Sequence, residues 1–271
     1  MRRFFTILLF CCLYVVSLNA QPKCVPAGFN AGSKSEGGIS AILGQPFSAH
    51  FSTGGHKVTE GVLQVYAKAC GQTVFDGDHN PYATVSVAGY CWTKSNLRAT
   101  HYADGVGTAI ERSSVYHAPG HDDEAENENT YGRLYTWFSA VQLPEDGSGT
   151  LTPDANGYVR GACPDGWHIP TETEMDALLA LNAEDLRTPE LWVTPNNNNN
   201  STDFTSLPAG MYNAAKERFE GLHSQTKYWS LANGTQPPTT IMVLEYYCDL
   251  PVEETVSAHD MLSIRCVKNN D

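Results

Sequence analysis

Apolar positions along the chain change their spacing several times, and each change predicts a different element. An unbroken run, ILLFCCLYVV from Ile7 to Val16, follows the basic pair Arg2 and Arg3 and leads to the small residue Ala20. A basic tip, a short apolar run and a small boundary residue are the pattern of a secretory leader. The run is shorter than the ~20 residues that a membrane-spanning helix needs. A signal peptide over residues 1–20 and an exported chain from Gln21 are therefore expected.

Residues 21–69 carry short extended runs between Gly-Gly turns, as in GGISAILGQPFSAHFSTGGHKVTEGVLQVY, with no helical period. They predict a small Gly/Ser-rich segment of β-hairpins. From Cys70 the texture changes. FDGDHNPYATVSVAGYCW has polar turn residues and then alternation through Tyr82, Val85 and Val87, a hairpin entering a strand. Helical spacing appears at Leu134, Trp137 and Phe138 in YGRLYTWFSAV, a stripe that reads as core. It returns at Met175, Leu178 and Leu179 in CPDGWHIPTETEMDALL. There Thr171 and Glu174 fit a capping box, and the early acidic residues suit the positive end of a helix dipole.

Polar stretches separate these elements. HDDEAENENTYG holds Asp122, Asp123, Glu124, Glu126 and Glu128 without an apolar anchor, which predicts a solvated loop, with calcium binding left open. LPEDGSGTLTPDANGY reads as a long polar loop and TPNNNNNSTD as a mobile, low-complexity one. Asn200 and Asn233 match the N-glycosylation pattern.

Charge and cysteine usage narrow the function. The formal net charge is −13, which argues against nucleic acid, whose affinity rests on Lys and Arg meeting phosphates. No stretch after the leader is apolar and long enough to span a bilayer. Cys11 and Cys12 leave with the leader, so Cys24, Cys70, Cys91, Cys163, Cys248 and Cys266 remain. An even set in an exported chain reads as disulfides, whose pairing spacing alone leaves open. No C-x-x-C pair is present, which disfavours zinc and thioredoxin-like chemistry.

Three features invite a chemical reading. Asp76, Asp78 and Asn80 stand at the first, third and fifth places of a calcium loop. Pro81 then replaces its flexible Gly and Val87 its terminal Glu, so a plain turn is preferred. His168 has no second His or Cys at helical ligand spacing and reads as structural. Cys163, in an oxidising compartment, reads as a disulfide partner before a nucleophile. No residue is assigned a catalytic or metal-ligating role, and no cofactor is expected.

Six segments occur in a telling order: CGQTVFDGDHNPYATVSVAGYCWTKSNLRAT, YGRLYTWFSAV, CPDGWHIPTETEMDALL, DFTSLPAGMYN, YWS and SIRCVKN. In this order they resemble the Fibrobacter succinogenes major paralogous domain, found in exported bacterial proteins and frequent in the Bacteroidetes. The resemblance covers residues 70–271, and the preceding segment 21–69 resembles one that often accompanies such domains. It implies an α+β fold related to C-type lectins and formylglycine-generating enzymes: mixed, loop-rich, with few helices and its ends held together. Met175 stands where the related helix start has Trp. The catalytic cysteine arrangement of those enzymes and the calcium motifs of the lectins have no counterpart. Cys163 and Cys266 flank the most family-like segments and are expected to pair, closing a loop of about 100 residues. The pairing of Cys24, Cys70, Cys91 and Cys248 stays open.

The expected function is an exported, non-catalytic binding or adhesion module at the cell surface, outside the cell or in the periplasm. Its partner would be an extracellular glycan or protein. Two alternatives are a structural component of a bacterial surface assembly and an enzyme of the formylglycine-generating or hydrolytic kind. Trp192, just before the Asn-rich tract and outside the family segments, is the candidate exposed aromatic for ligand binding. Trp167 and Trp229 read as core, and an inward-packed Trp192 is the competing reading.

Overall fold

Short alternating runs at the head of the domain fold as hairpins because their turns accept left-handed backbone. In the computed structural model, which describes residues 70–231 and 241–270, strands β1 (Val74–Phe75) and β2 (Pro81–Tyr82) form the first pair. Strands β3 (Thr84–Val87) and β4 (Tyr90–Thr93) form the second, with Val87 opposite Tyr90. The two residues between them, Ala88 and Gly89, both have positive φ, the backbone that a tight right-twisted hairpin requires. The expected leader over residues 1–20, the segment 21–69 and Asn233 lie outside the described residues.

Next come β5 (Ser113–Val115), α1 (Glu124–Tyr131), β6 (Arg133–Tyr135), α2 (Trp137–Val141), β7 (Trp167–His168), α3 (Glu172–Leu179) and α4 (Ala183–Leu186). The chain continues through β8 (Ala209–Asn213), β9 (Arg218–Leu222), β10 (Gln225–Tyr228), β11 (Ile241–Glu245), β12 (Val252–Glu254) and β13 (Val267–Lys268). The fold is mixed and strand-rich, of the α+β kind, with short helices.

Two larger sheets organise it. One has the order β12-β11-β10-β8-β9, antiparallel except where β8 meets β10 in parallel at Gly210 and Thr226. Gly210 has φ +67, and a Cβ there would stand 2.7 Å from the Glu220 carbonyl oxygen, so only glycine fits this crossing. The other has the order β3-β4-β13-β7. Val267 of β13 lies opposite Trp92 on one side and His168 on the other. The late strand thus joins the beginning of the domain to its middle.

The buried apolar residues fall into two clusters. The first gathers Trp137, Tyr135, Trp229, Ile169 and the cysteines Cys91, Cys163 and Cys266; the second gathers Trp92, Met175, Leu178, Phe204 and Tyr228. Cys70 is bonded to Cys91 and Cys163 to Cys266. Cys248 is also disulfide-bonded, and Cys24 lies outside the described residues. Arg265 is fully buried. Its guanidinium donates to Asn96 Oδ1 at 2.7 Å and to the carbonyls of Thr93, Phe204 and Thr205 at 2.8–3.0 Å. Burial lowers its pKa, and the four acceptors offset the desolvation of the cation.

Three expectations are corrected. The acidic run forms α1, because Asp123 caps it by accepting from the Glu126 amide at 3.0 Å. The buried Asn127 and Tyr131 supply the anchor that the charge pattern hid. The aromatic stripe is split, with Leu134 in β6 and Trp137 and Phe138 in α2. Leu134, Trp137 and Phe138 are all buried, so the core reading of the stripe stands. The Asn-rich tract is tied down by its own amides: Asn198 is buried and donates to the Thr188 carbonyl, and Asn200 Oδ1 accepts from the Thr205 amide.

Candidate ligand-binding cleft

The stretch CPDGWHIPTETEMDALL supplies the floor of the site. Thr171 caps α3, and Glu174 accepts from the Thr171 amide at 2.8 Å, completing the capping box. The same carboxylate has a second task. It lies 3.0 and 3.1 Å from Nε2 of His168, whose Nδ1 lies 2.8 Å from Asn269 Oδ1. His168 is completely buried and Glu174 nearly so. Both nitrogens of the imidazole are therefore partnered within the fold.

On top of His168 sits Tyr158, stacked at 4.0 Å with an interplanar angle of 15°. The tyrosine hydroxyl accepts from Asn270 Nδ2 at 3.1 Å. Two local devices present this ring. Asp154 Oδ1 accepts from the amides of Asn156 and Tyr158, both at 2.9 Å, which closes the DANGY turn. Beyond it, Gly161 (φ +53) crosses α2 so closely that a Cβ would lie 2.0 Å from the Ala140 carbonyl oxygen. The bridge Cys163–Cys266 follows directly.

These elements enclose a cleft of about 640 Å³. One wall is the end of α2 with the loop bearing Thr150, Thr152 and Asp154; the other is the turn bearing Arg160, Asp165 and Trp167. Tyr158 and Asn269 line it as well. Arg160 and Asp165 are 3.5 Å apart, with Asp165 92% exposed, an ion pair of little energetic weight. A smaller cleft of about 320 Å³ has Arg112, Thr136, Tyr212 and His259 in its lining. Behind it the hydroxyls of Thr136 and Ser139 both donate to Glu145 Oε1. His259 Nδ1 is 3.9 Å from Glu145 Oε2.

A family model, the Fibrobacter succinogenes major domain, matches residues 85–268. The chain belongs to that family. The match includes both walls of the larger cleft, α3 and the Cys163–Cys266 bridge. No curated protein and no solved structure matches the chain. Within this family domain, the residues singled out by sequence are scattered. Trp192 is buried, 3% exposed, in the second cluster, where its indole N–H donates to the Ser206 carbonyl at 3.1 Å and Arg187 packs over its ring. It is corrected from exposed ligand contact to loop anchor. Trp229 is fully buried.

Asp76 and Asp78 are also structural. Asp76 accepts from the amides of Asp78 and Asn80, from the Asn80 side chain and from the Tyr82 hydroxyl. Asp78 accepts from the amide and hydroxyl of Thr100 and from the amide and ring of His101. Among the described residues, no group of three or more His, Cys, Asp or Glu is placed to hold a metal ion. No described helix is long and apolar enough to cross a membrane.

Sequence reasoning passed over Tyr158 and its neighbours as a plain polar loop. The available signal was an aspartate turn, PDANG, immediately followed by an aromatic residue, Tyr158, with a second Gly at Gly161.

Proposed function

We propose that this chain is an exported binding or adhesion module that catalyses nothing and takes an extracellular glycan or protein ligand. Its scaffold would be C-type-lectin-like, with the ligand held by loops on a disulfide-tied core. The observation that carries this reading is the 640 Å³ cleft, whose size falls within the ~300–1,000 Å³ of small-ligand sites. Its walls are loops set on rigid elements, the usual arrangement of recognition sites. The histidine and the cysteine beside it are engaged in the fold: His168 with Glu174 and Asn269, Cys163 with Cys266. Export is supported by the leader pattern and by the bridges, which persist in oxidising compartments.

The test applies the purified mature chain to a glycan array and to immobilised extracellular protein fractions, with turnover assays on every hit. Saturable binding without turnover is expected. A turnover that depends on a titratable residue would replace this reading with an enzymatic one.

A further inference from the structure

We infer that the larger cleft is a subsite for a neutral saccharide, with Tyr158 as its aromatic platform. The inference rests on the binding-module reading and names the ligand class for that site.

The platform is built in a way that a surface tyrosine is not. Tyr158 lines the cleft, and its ring stacks on an imidazole that is itself completely buried and tied at both nitrogens. Its hydroxyl is held by Asn270 and its backbone amide by Asp154. The ring is therefore fixed in position and tilt before any ligand arrives, so little conformational entropy remains to be lost on binding. Pyranose rings have one requirement that such a platform meets: a flat patch of C–H bonds to lay against an aromatic surface.

Their other requirement is a rim of groups that both give and accept hydrogen bonds, because each sugar hydroxyl does both. The cleft has that mixture within one lining: carboxylates on Asp154 and Asp165, a guanidinium on Arg160 and hydroxyls on Thr150 and Thr152. Charge selects within the class. Two carboxylates stand against one guanidinium at the rim, on a protein of net charge −13. Sialylated, sulfated or uronic sugars would meet repulsion there, and neutral ones would not.

The experiment is calorimetric titration of the mature chain with cellotriose, maltotriose, mannotriose and N,N′-diacetylchitobiose, with sialyllactose and tetralysine as charged comparisons. At least one neutral sugar is expected to bind, and its affinity should be nearly independent of salt. Tyr158→Ala should weaken that binding about tenfold or more, whereas Tyr158→Phe, which keeps the ring, should stay within about threefold. Asp165→Ala is exposed and cannot disturb the core, so a loss of about threefold or more there reports the rim directly. Thermal melting of each variant separates loss of the site from loss of the fold.

Binding left intact by both Tyr158→Ala and Asp165→Ala would place the sugar elsewhere and overturn the subsite, while the module reading stands. Binding of tetralysine in preference to every neutral sugar would make this a cationic-peptide cleft and likewise overturn it. If no neutral sugar binds the wild-type chain, the subsite falls. The protein-fraction arm of the earlier test then decides the module reading separately.

Discussion

Individual side chains in this domain carry more than one duty, and that sets what their substitution does. Trp192 fills the second cluster and also satisfies the Ser206 carbonyl. Trp192→Ala should therefore cost about 3–5 kcal/mol of stability, measured by urea unfolding, without changing ligand affinity in the folded fraction. Asp78 gives a pH signature. Burial pushes its carboxyl up, but the donors on Thr100 and His101 together outweigh that and hold it below the ordinary 3.8. A depressed carboxyl contributes stability that is fully present above the unfolded pKa. That contribution fades as pH falls from 3.8 through the lower folded value. Asp78→Asn should be less stable than wild type near neutrality, and the gap should narrow on acidification through that window. Parallel urea curves at both pH values check it. A constant gap would show that the carboxylate's charge is not what Thr100 and His101 recognise.

At the level of elements, legibility tracked how local the determining interactions are. The capping box at Thr171 and Glu174 was readable because its partners are three residues apart. The second role of Glu174, against His168, was not readable, since its geometry depends on β7 being held in a sheet by β13. Helix α1 was hidden for a related reason. Its charges dominate the pattern, while its anchorage comes from Asn127, whose side chain donates to the Tyr116 and His121 carbonyls. The Asn-rich tract misled in the same direction, because low complexity says nothing about amides that cap their own loop. The Cys163–Cys266 bridge spans 103 residues and ties β13 to the turn before β7. Replacing both cysteines by alanine should remove about 4–5 kcal/mol. Equilibrium unfolding under non-reducing conditions measures this, and a loss under about 1 kcal/mol would mean that the unfolded chain is already compact.

For the molecule as a whole, the proposed leader and the bridges make one joint expectation. Intact mass of the exported product should correspond to a chain beginning at Gln21 or within a few residues of it, with its cysteines oxidised. A product that keeps Met1 and fractionates with membranes would contradict it. The position of β13 adds a constraint in time. The strand lies between β4 and β7, yet every residue of both precedes it by a wide margin in sequence. As the chain emerges from its amino end, β4 and β7 have no partner between them until Val267 arrives. The stack of Tyr158 on His168 waits with them, because Asn269 and Asn270 are made later still. The site that would recognise a ligand is thus assembled by the last few residues of the domain. A chain that stops short of Val267 lacks the strand that joins β4 to β7, and with it the Asn269 and Asn270 contacts that hold His168 and Tyr158.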